Sequence, residues 1–391
     1  MSLKKNQLSF DVVAVVDAGL SSSKNIWMPW PVGKAELMMM GPELLEVQSS
    51  SLLDFGLSGG APEDNAVVIL KDGRQLAFGE KAREMRGKPP AGFSKYEPTT
   101  YKILAVVGSI AKSLNLPANF NLALGAVLPY SEYQDNEHFK ELLHEHLANF
   151  TFLGQEYRVA LNLLDIKPEG AGVGLMRREE DGSSFERINT AVLMMGERDI
   201  SLLPFRKGKP QSGTGTQLGF RHFLASVQLK AALNLTSDNE ALLSKLVFKG
   251  QSDPRCIERI ARMVVSSHEH SHKVTQINEA IEVCKAKYWQ ELSNWLESSL
   301  GQSLFELDEA IVSGGTALYL RPELESFFGK EEIAINWGVN LEKQITSTLQ
   351  CEIAPALLFR LADAFGLFRL LVGKVQDAVS ATVPVITNSR K

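Results

Sequence analysis

Short β-branched runs alternate along this chain with segments whose apolar residues recur every three or four positions, the pattern of an α/β protein. Strand-like runs are read at Val12 to Val16, Ala66 to Leu70, Leu122 to Leu128, Tyr157 to Leu164, Ala191 to Met195 and Ala310 to Val312. Helical spacing is clearest from Thr100 to Leu114, where Ile103, Val106, Val107, Ile110 and Leu114 share a face before Pro117 stops the run. A second stripe, Phe139, Leu142, Leu143, Leu147 and Phe150, predicts a helix over Asn136 to Phe150. Ser237 with Glu240 forms a capping box for a helix running through Leu246. A long helix is predicted from about Ile277 to Leu300, with Ile281, Cys284, Tyr288, Leu292 and Trp295 on one side. Glycine- and proline-bearing stretches at 57–65, 87–98 and 208–219 read as loops. The stretch from about 221 to 305 is mostly helical with strands on either side, which predicts a helical insertion into an α/β domain.

Composition narrows the class. At 391 residues the chain exceeds one compact core, and roughly 150 residues per domain predicts two or three domains. An apolar fraction of 44% with 22% charge excludes disordered and collagen-like classes. The balance of 41 basic against 46 acidic residues argues against direct nucleic-acid binding. No apolar run reaches the ~18 residues of a bilayer crossing, so no membrane partner is expected. Met1 to Phe10 has lysines without a following hydrophobic stretch, and Cys256, Cys284 and Cys351 suit neither a disulfide frame nor a zinc site. The expectation is a cytoplasmic, reduced, globular protein.

Three turns have the chemistry to meet a nucleotide. The first is Asp17-Ala18-Gly19-Leu20-Ser21-Ser22-Ser23-Lys24, directly after an apolar strand. Gly19 permits a tight turn, Ser21 and Ser22 leave amides and hydroxyls for a phosphate, Lys24 brings charge, and Asp17 suits the water shell of Mg²⁺. The second is Val312-Ser313-Gly314-Gly315-Thr316-Ala317, where paired glycines admit close approach of a ring or phosphate. The third, Lys167-Pro168-Glu169-Gly170-Ala171-Gly172, offers Glu169 to orient an attacking water. Taken one at a time, each also suits a plain strand-to-helix turn or a solvated carboxylate.

In combination and order, these turns resemble the actin superfamily. Asp17-x-Gly19 with Lys24 is similar to its first phosphate loop, and Ser313-Gly314-Gly315-Thr316 to its adenosine motif. Gly125-Ala126-Val127-Leu128-Pro129-Tyr130-Ser131-Glu132-Tyr133 and Pro168-Glu169-Gly170-Ala171 resemble segments of the bacterial plasmid-segregation actins of the ParM (StbA) type. Leu218-Gly219-Phe220-Arg221 and Asp363-Ala364-Phe365-Gly366-Leu367-Phe368 extend the likeness over nearly the whole chain. One departure stands out. Where the family has an aspartate, two glycines and threonines, this chain reads Ala191-Val192-Leu193-Met194-Met195-Gly196-Glu197-Arg198-Asp199. The leading acid and the threonines are missing, leaving Gly196 for a phosphate and Glu197 or Asp199 as shifted acids. Leu20 likewise stands where many relatives have a hydroxyl.

The resemblance implies a two-lobed, ribonuclease-H-like duplicated α/β fold with a helical insertion in the second lobe. Lobe one would take 1–165 with 355–391, and lobe two 166–354, its helical subdomain lying at about 221–305. It implies ATP or GTP with Mg²⁺ in the interlobe cleft. Gly19, Ser21, Ser22, Lys24 and Gly196 would lie on the phosphates, and Gly314, Gly315 and Thr316 at the adenosine. Asp17 would hold the metal through water, and Glu169 would serve hydrolysis. The implied activity is a self-assembling filament ATPase that moves plasmid DNA through a DNA-binding adaptor of the ParR type. A scaffold that lost hydrolysis and a small-molecule kinase on the same fold are the alternatives. The tract Ser267 to His272, with its three histidines, reads as a solvated linker, and Arg177 to Gly182 as a polar hairpin turn. Trp27 is placed in the strand after the first turn, and Met38 to Met40 in a buried strand.

Overall fold

The computed structural model describes residues 8–19, 21–48, 59–90, 96–134, 136–235 and 237–382. The run Val12–Asp17 (β1) is buried along its whole length, as a β-branched strand covered on both faces must be. The following strands are Ser23–Pro29 (β2), Glu36–Met40 (β3), Leu44–Val47 (β4), Val67–Ile69 (β5), Gln75–Phe78 (β6), Asn119–Leu128 (β7), Phe150–Phe152 (β8) and Gln155–Pro168 (β9). They form one nine-stranded sheet, ordered β3-β2-β1-β7-β9-β8-β5-β6-β4. A second sheet uses Asn189–Met195 (β10), Ile200–Arg206 (β11), Lys209–Pro210 (β12), Thr214–Thr216 (β13), Glu309–Ser313 (β14) and Ala334–Asn336 (β15). Its order is β12-β11-β10-β14-β15, with β13 also on β11.

The two sheets repeat one plan. In each, a buried strand turns back into an antiparallel partner (β1 with β2, β10 with β11). Two parallel strands then follow on its other side: β7 and β9 in the first sheet, β14 and β15 in the second. The helices that matter below are Tyr96–Ser113 (α1), Glu137–Leu147 (α2), Ala171–Glu180 (α3), Phe220–Lys230 (α4), Ser237–Gly250 (α5), Arg255–Val264 (α6), His270–Leu300 (α7), Val339–Leu349 (α8) and Pro355–Thr382 (α9). Helices α1 and α2 cover the outer face of the first sheet, and α4 to α7 build a helical block on the second. Between the sheets lies a shared core. There α3, α8 and α9 pack against Val13, Val15 and Ala123 from one sheet and Val192, Leu203 and Ile311 from the other. This middle layer holds the two halves together through apolar burial, the dominant favourable contribution to such contacts.

Several elements differ from the sequence pattern. The helix expected to reach Phe150 ends at Leu147, because Phe150 and Phe152 alternate inward as the short strand β8. The helix at 237 forms, while the side chains of Ser237 and Glu240, like Leu20, lie outside the described residues. The histidine tract is not a linker: Ser267–Glu269 forms one tight turn, and His270 opens the 31-residue α7 with its Nε2 2.9 Å from the Glu258 carbonyl oxygen. Nor is Arg177 to Gly182 a hairpin. It is the end of α3, where Arg177 pairs with Glu309 at 3.0 Å and Asp181 accepts from the Ser184 amide to start the next turn. Trp27, Met38 and Met40 are buried in β2 and β3. Among the described residues no helix is long and apolar enough to cross a membrane.

Candidate functional site

The turns singled out in the sequence follow the carboxyl ends of β1, β9, β10 and β14, the edge at which open α/β sheets bind ligands. Specific contacts draw them together. Gly170 packs on Val192 and Met194 of β10, and the Thr316 hydroxyl donates to the Gly196 carbonyl at 2.7 Å. From α9, Arg360 reaches the hydroxyls of Ser21 and Ser22, while Asp363 reaches the turn at Gly170. Neither α9 residue was recognised as part of a site from sequence.

At the first turn the antiparallel register sets Asp17 opposite Lys24. Their side chains form an ion pair of 2.5 Å, both almost fully buried. The ammonium expected at a phosphate and the carboxylate expected at a metal therefore neutralise each other. A Cβ at Gly19 would sit 3.0 Å from the Ser22 carbonyl oxygen and 3.2 Å from Lys24 Nζ, so only glycine leaves this approach open. Below the turn, burial pushes the Lys102 ammonium on α1 down to about 8, with Glu43 and Asp17 opposing that shift and Lys24 adding to it. In the sequence, this lysine is hidden within the apolar stripe of its helix.

The turn after β10 is short. Gly196 to Asp199 alone separates β10 from β11, and the Gly196 amide donates to the Asp199 carbonyl at 2.9 Å. The amide expected to meet a phosphate thus closes its own turn. Neither shifted acid is a loose replacement for the missing aspartate. Burial raises the Glu197 carboxyl, which accepts from Ser244 Oγ at 3.0 Å, and Asp199 accepts from Arg198 Nε at 2.7 Å. Arg198 also donates to Glu132 at 2.7 Å, tying this turn to the segment after β7.

The third turn is held from behind. The Glu169 amide donates to the Leu128 carbonyl at 2.7 Å, and Gly170 adopts φ +96° as it caps α3. Asp363, fully buried, accepts from the amides of Gly170 and Gly172, each at 2.8 Å, at the positive end of α3. Burial still pushes its carboxyl from an ordinary 3.8 up to about 7; the amides oppose the rise, and the charges of Asp17 and Glu169 add to it. The folded protein therefore holds a proton here that the unfolded chain releases between about pH 4 and 7, so this group's contribution to stability falls as pH rises through that window. Asp363→Asn removes the titration. The stability of the wild type minus that of Asp363→Asn, measured by urea unfolding, is expected to shrink from pH 5 to pH 8. A flat difference would contradict the assignment.

After β14, Gly314 takes φ +97°, and a side chain there would collide with the Met195 carbonyl. Gly315 stays open, with Arg360 Cδ its nearest approach at 3.8 Å. Beside it, Val312, Ser313, Leu341, Leu358, Trp337 and Phe359 line a small apolar recess. Among the described residues no three His, Cys, Asp or Glu side chains gather to hold a metal ion.

Two sheets on one plan, opposed across a layer of three helices with glycine turns converging between them, match solved structures over nearly their full length. The fold is actin-like. The apo psk41 ParM protein superposes with a TM-score of 0.56 at 15% identity, covering 95% of this chain and 100% of that one. A 15-stranded ParM filament from Clostridium botulinum gives 0.59 at 13% identity, covering 93% and 99%. An archaeal actin homolog in complex with ADP gives 0.58 at 15% identity, covering 92% and 98%. No family model matches the chain, and no curated protein matches it either.

Proposed function

We propose that this chain is a nucleotide-dependent, filament-forming actin-like protein that segregates plasmid DNA through a DNA-binding adaptor of the ParR type. The observation that carries this reading is the convergence of the turns at Gly19, Gly196 and Gly314 with the Glu169 turn, on a fold shared with ParM proteins. In it, 1–165 with 355–391 forms one lobe and 166–354 the other, and ATP or GTP binds between them. The first turn, with Gly19, Ser21, Ser22 and Lys24, receives the phosphates, Lys24 exchanging Asp17 for the phosphate charge. Gly314, Gly315 and Thr316 border the nucleoside, and Glu169 orients water at the terminal phosphate. Mg²⁺ belongs to this reading as the counterion of the polyphosphate, Asp17 being the carboxylate that would hold it through water. Closure of the lobes on nucleotide would favour the assembling conformation. A net charge of -5 suits indirect contact with DNA and a cytoplasmic filament of identical subunits.

Light scattering against protein concentration, with and without Mg-ATP or Mg-GTP, tests the proposal. A critical concentration that appears only with nucleotide is expected. Assembly indifferent to nucleotide would instead favour a scaffold that has lost or weakened hydrolysis. That second reading draws its support from the closed Gly196 turn, which lacks the hydroxyls of its relatives.

A further inference from the structure

Arg360 lies between two of the turns described above. It projects from the first turns of α9 and is partly buried, with Nη2 2.6 Å from Ser21 Oγ and 3.2 Å from Ser22 Oγ. Its Cδ and Nε lie 3.8 and 4.0 Å from the position a Cβ would occupy at Gly315. The side chain therefore spans from the turn after β1 to the turn after β14. Glu197, after β10, feels its positive charge. Yet among the described residues no carboxylate lies within ion-pair distance of Arg360, although Lys24 and Arg198 at the neighbouring turns both have one. A guanidinium has five N–H donors in a planar fork, and here two neutral hydroxyls are its hydrogen-bond acceptors. Such a cation, partly desolvated and without an ion-pair partner among the described residues, suits an anion by its own chemistry.

The neighbouring donors sharpen the point. The Gly196 amide is closed on Asp199, the Thr316 hydroxyl is bound to Gly196, and Lys24 is neutralised by Asp17. We infer that Arg360 is a phosphate-binding residue of this cleft, meeting the polyphosphate of a nucleoside di- or triphosphate where the Gly196 turn offers too few donors. The inference rests on the nucleotide reading above and adds to it a ligand supplied by α9 rather than by a glycine turn. Ser21 and Ser22 hold the guanidinium in place, which leaves little ordering to be done on binding.

Calorimetric titration of the full chain with ADP and, separately, with adenosine tests it. Wild type is expected to bind ADP more tightly than adenosine. Arg360→Ala should weaken ADP by ~10- to 100-fold, the worth of charge-assisted hydrogen bonds, and leave adenosine unchanged. Arg360→Gln, which keeps a donor for the serines without the charge, should lose ADP affinity equally, and Arg360→Lys should fall between. If all three variants bind ADP as the wild type does, or if ADP and adenosine weaken together, the inference is wrong and Arg360 only braces the turn. Wild type that binds neither ligand would overturn the nucleotide reading itself, and the inference with it.

Discussion

Gly366→Ala is expected to lower stability by about 3 kcal/mol, whereas Gly373→Ala, further along the same helix, should leave it unchanged or raise it by up to about 1 kcal/mol. The contrast is one of position, not residue type. A Cβ at Gly366 would fall inside the Gly172 carbonyl, and a Cβ at Gly172 inside the Asp363 carbonyl, while nothing stands within 4 Å of one at Gly373. Helices α3 and α9 thus cross backbone to backbone in the layer between the sheets, and neither carbonyl can retreat without breaking its own helix. The crossing also brings the Asp363 carboxylate onto the amides of Gly170 and Gly172. Urea unfolding of the two variants beside wild type measures the difference. Equal stabilities would mean that the helices separate easily and that the close crossing does not hold the halves together.

That crossing explains what a single sequence reveals and what it hides. Strands β1, β7, β10 and β14 were readable because each buries a continuous apolar run, and β9 because buried and exposed positions alternate along its first half; the turns after β1, β9, β10 and β14 carry the glycines a tight approach requires. Strand β11 was missed because Pro204 interrupts its pattern, and proline within a run argues against a strand that must pair on both sides. The roles of the α9 residues were hidden for another reason, although the segment from Asp363 to Phe368 was noted for its likeness. Asp363 lies 193 positions from Gly170 and Arg360 lies 339 from Ser21, so neither partner is visible in the local pattern of the helix. Local pattern cannot distinguish such a residue from a solvated one. The glycines nevertheless mark where backbones approach one another, whichever side chain arrives opposite.

Glu169→Ala is expected to slow phosphate release by about 100-fold or more, the usual worth of a positioned acid–base group, while nucleotide-dependent assembly persists. The backbone makes this separation reasonable. Glu169 is fixed by its amide to the Leu128 carbonyl, and its neighbour Gly170 is fixed by its amide to Asp363, so removing the side chain leaves the turn and α3 intact. Phosphoryl transfer depends mainly on positioning and charge. On the proposed reading, losing Glu169 should therefore remove hydrolysis without removing the proposed phosphate contacts at Ser21, Ser22 and Lys24. Phosphate release per filament subunit is the measurement, with light scattering as the control for assembly. Release equal to the parent would withdraw Glu169 from the mechanism. Release already absent in the parent, with assembly intact, would shift the weight to the non-hydrolysing scaffold and to the closed turn at Gly196 as its cause.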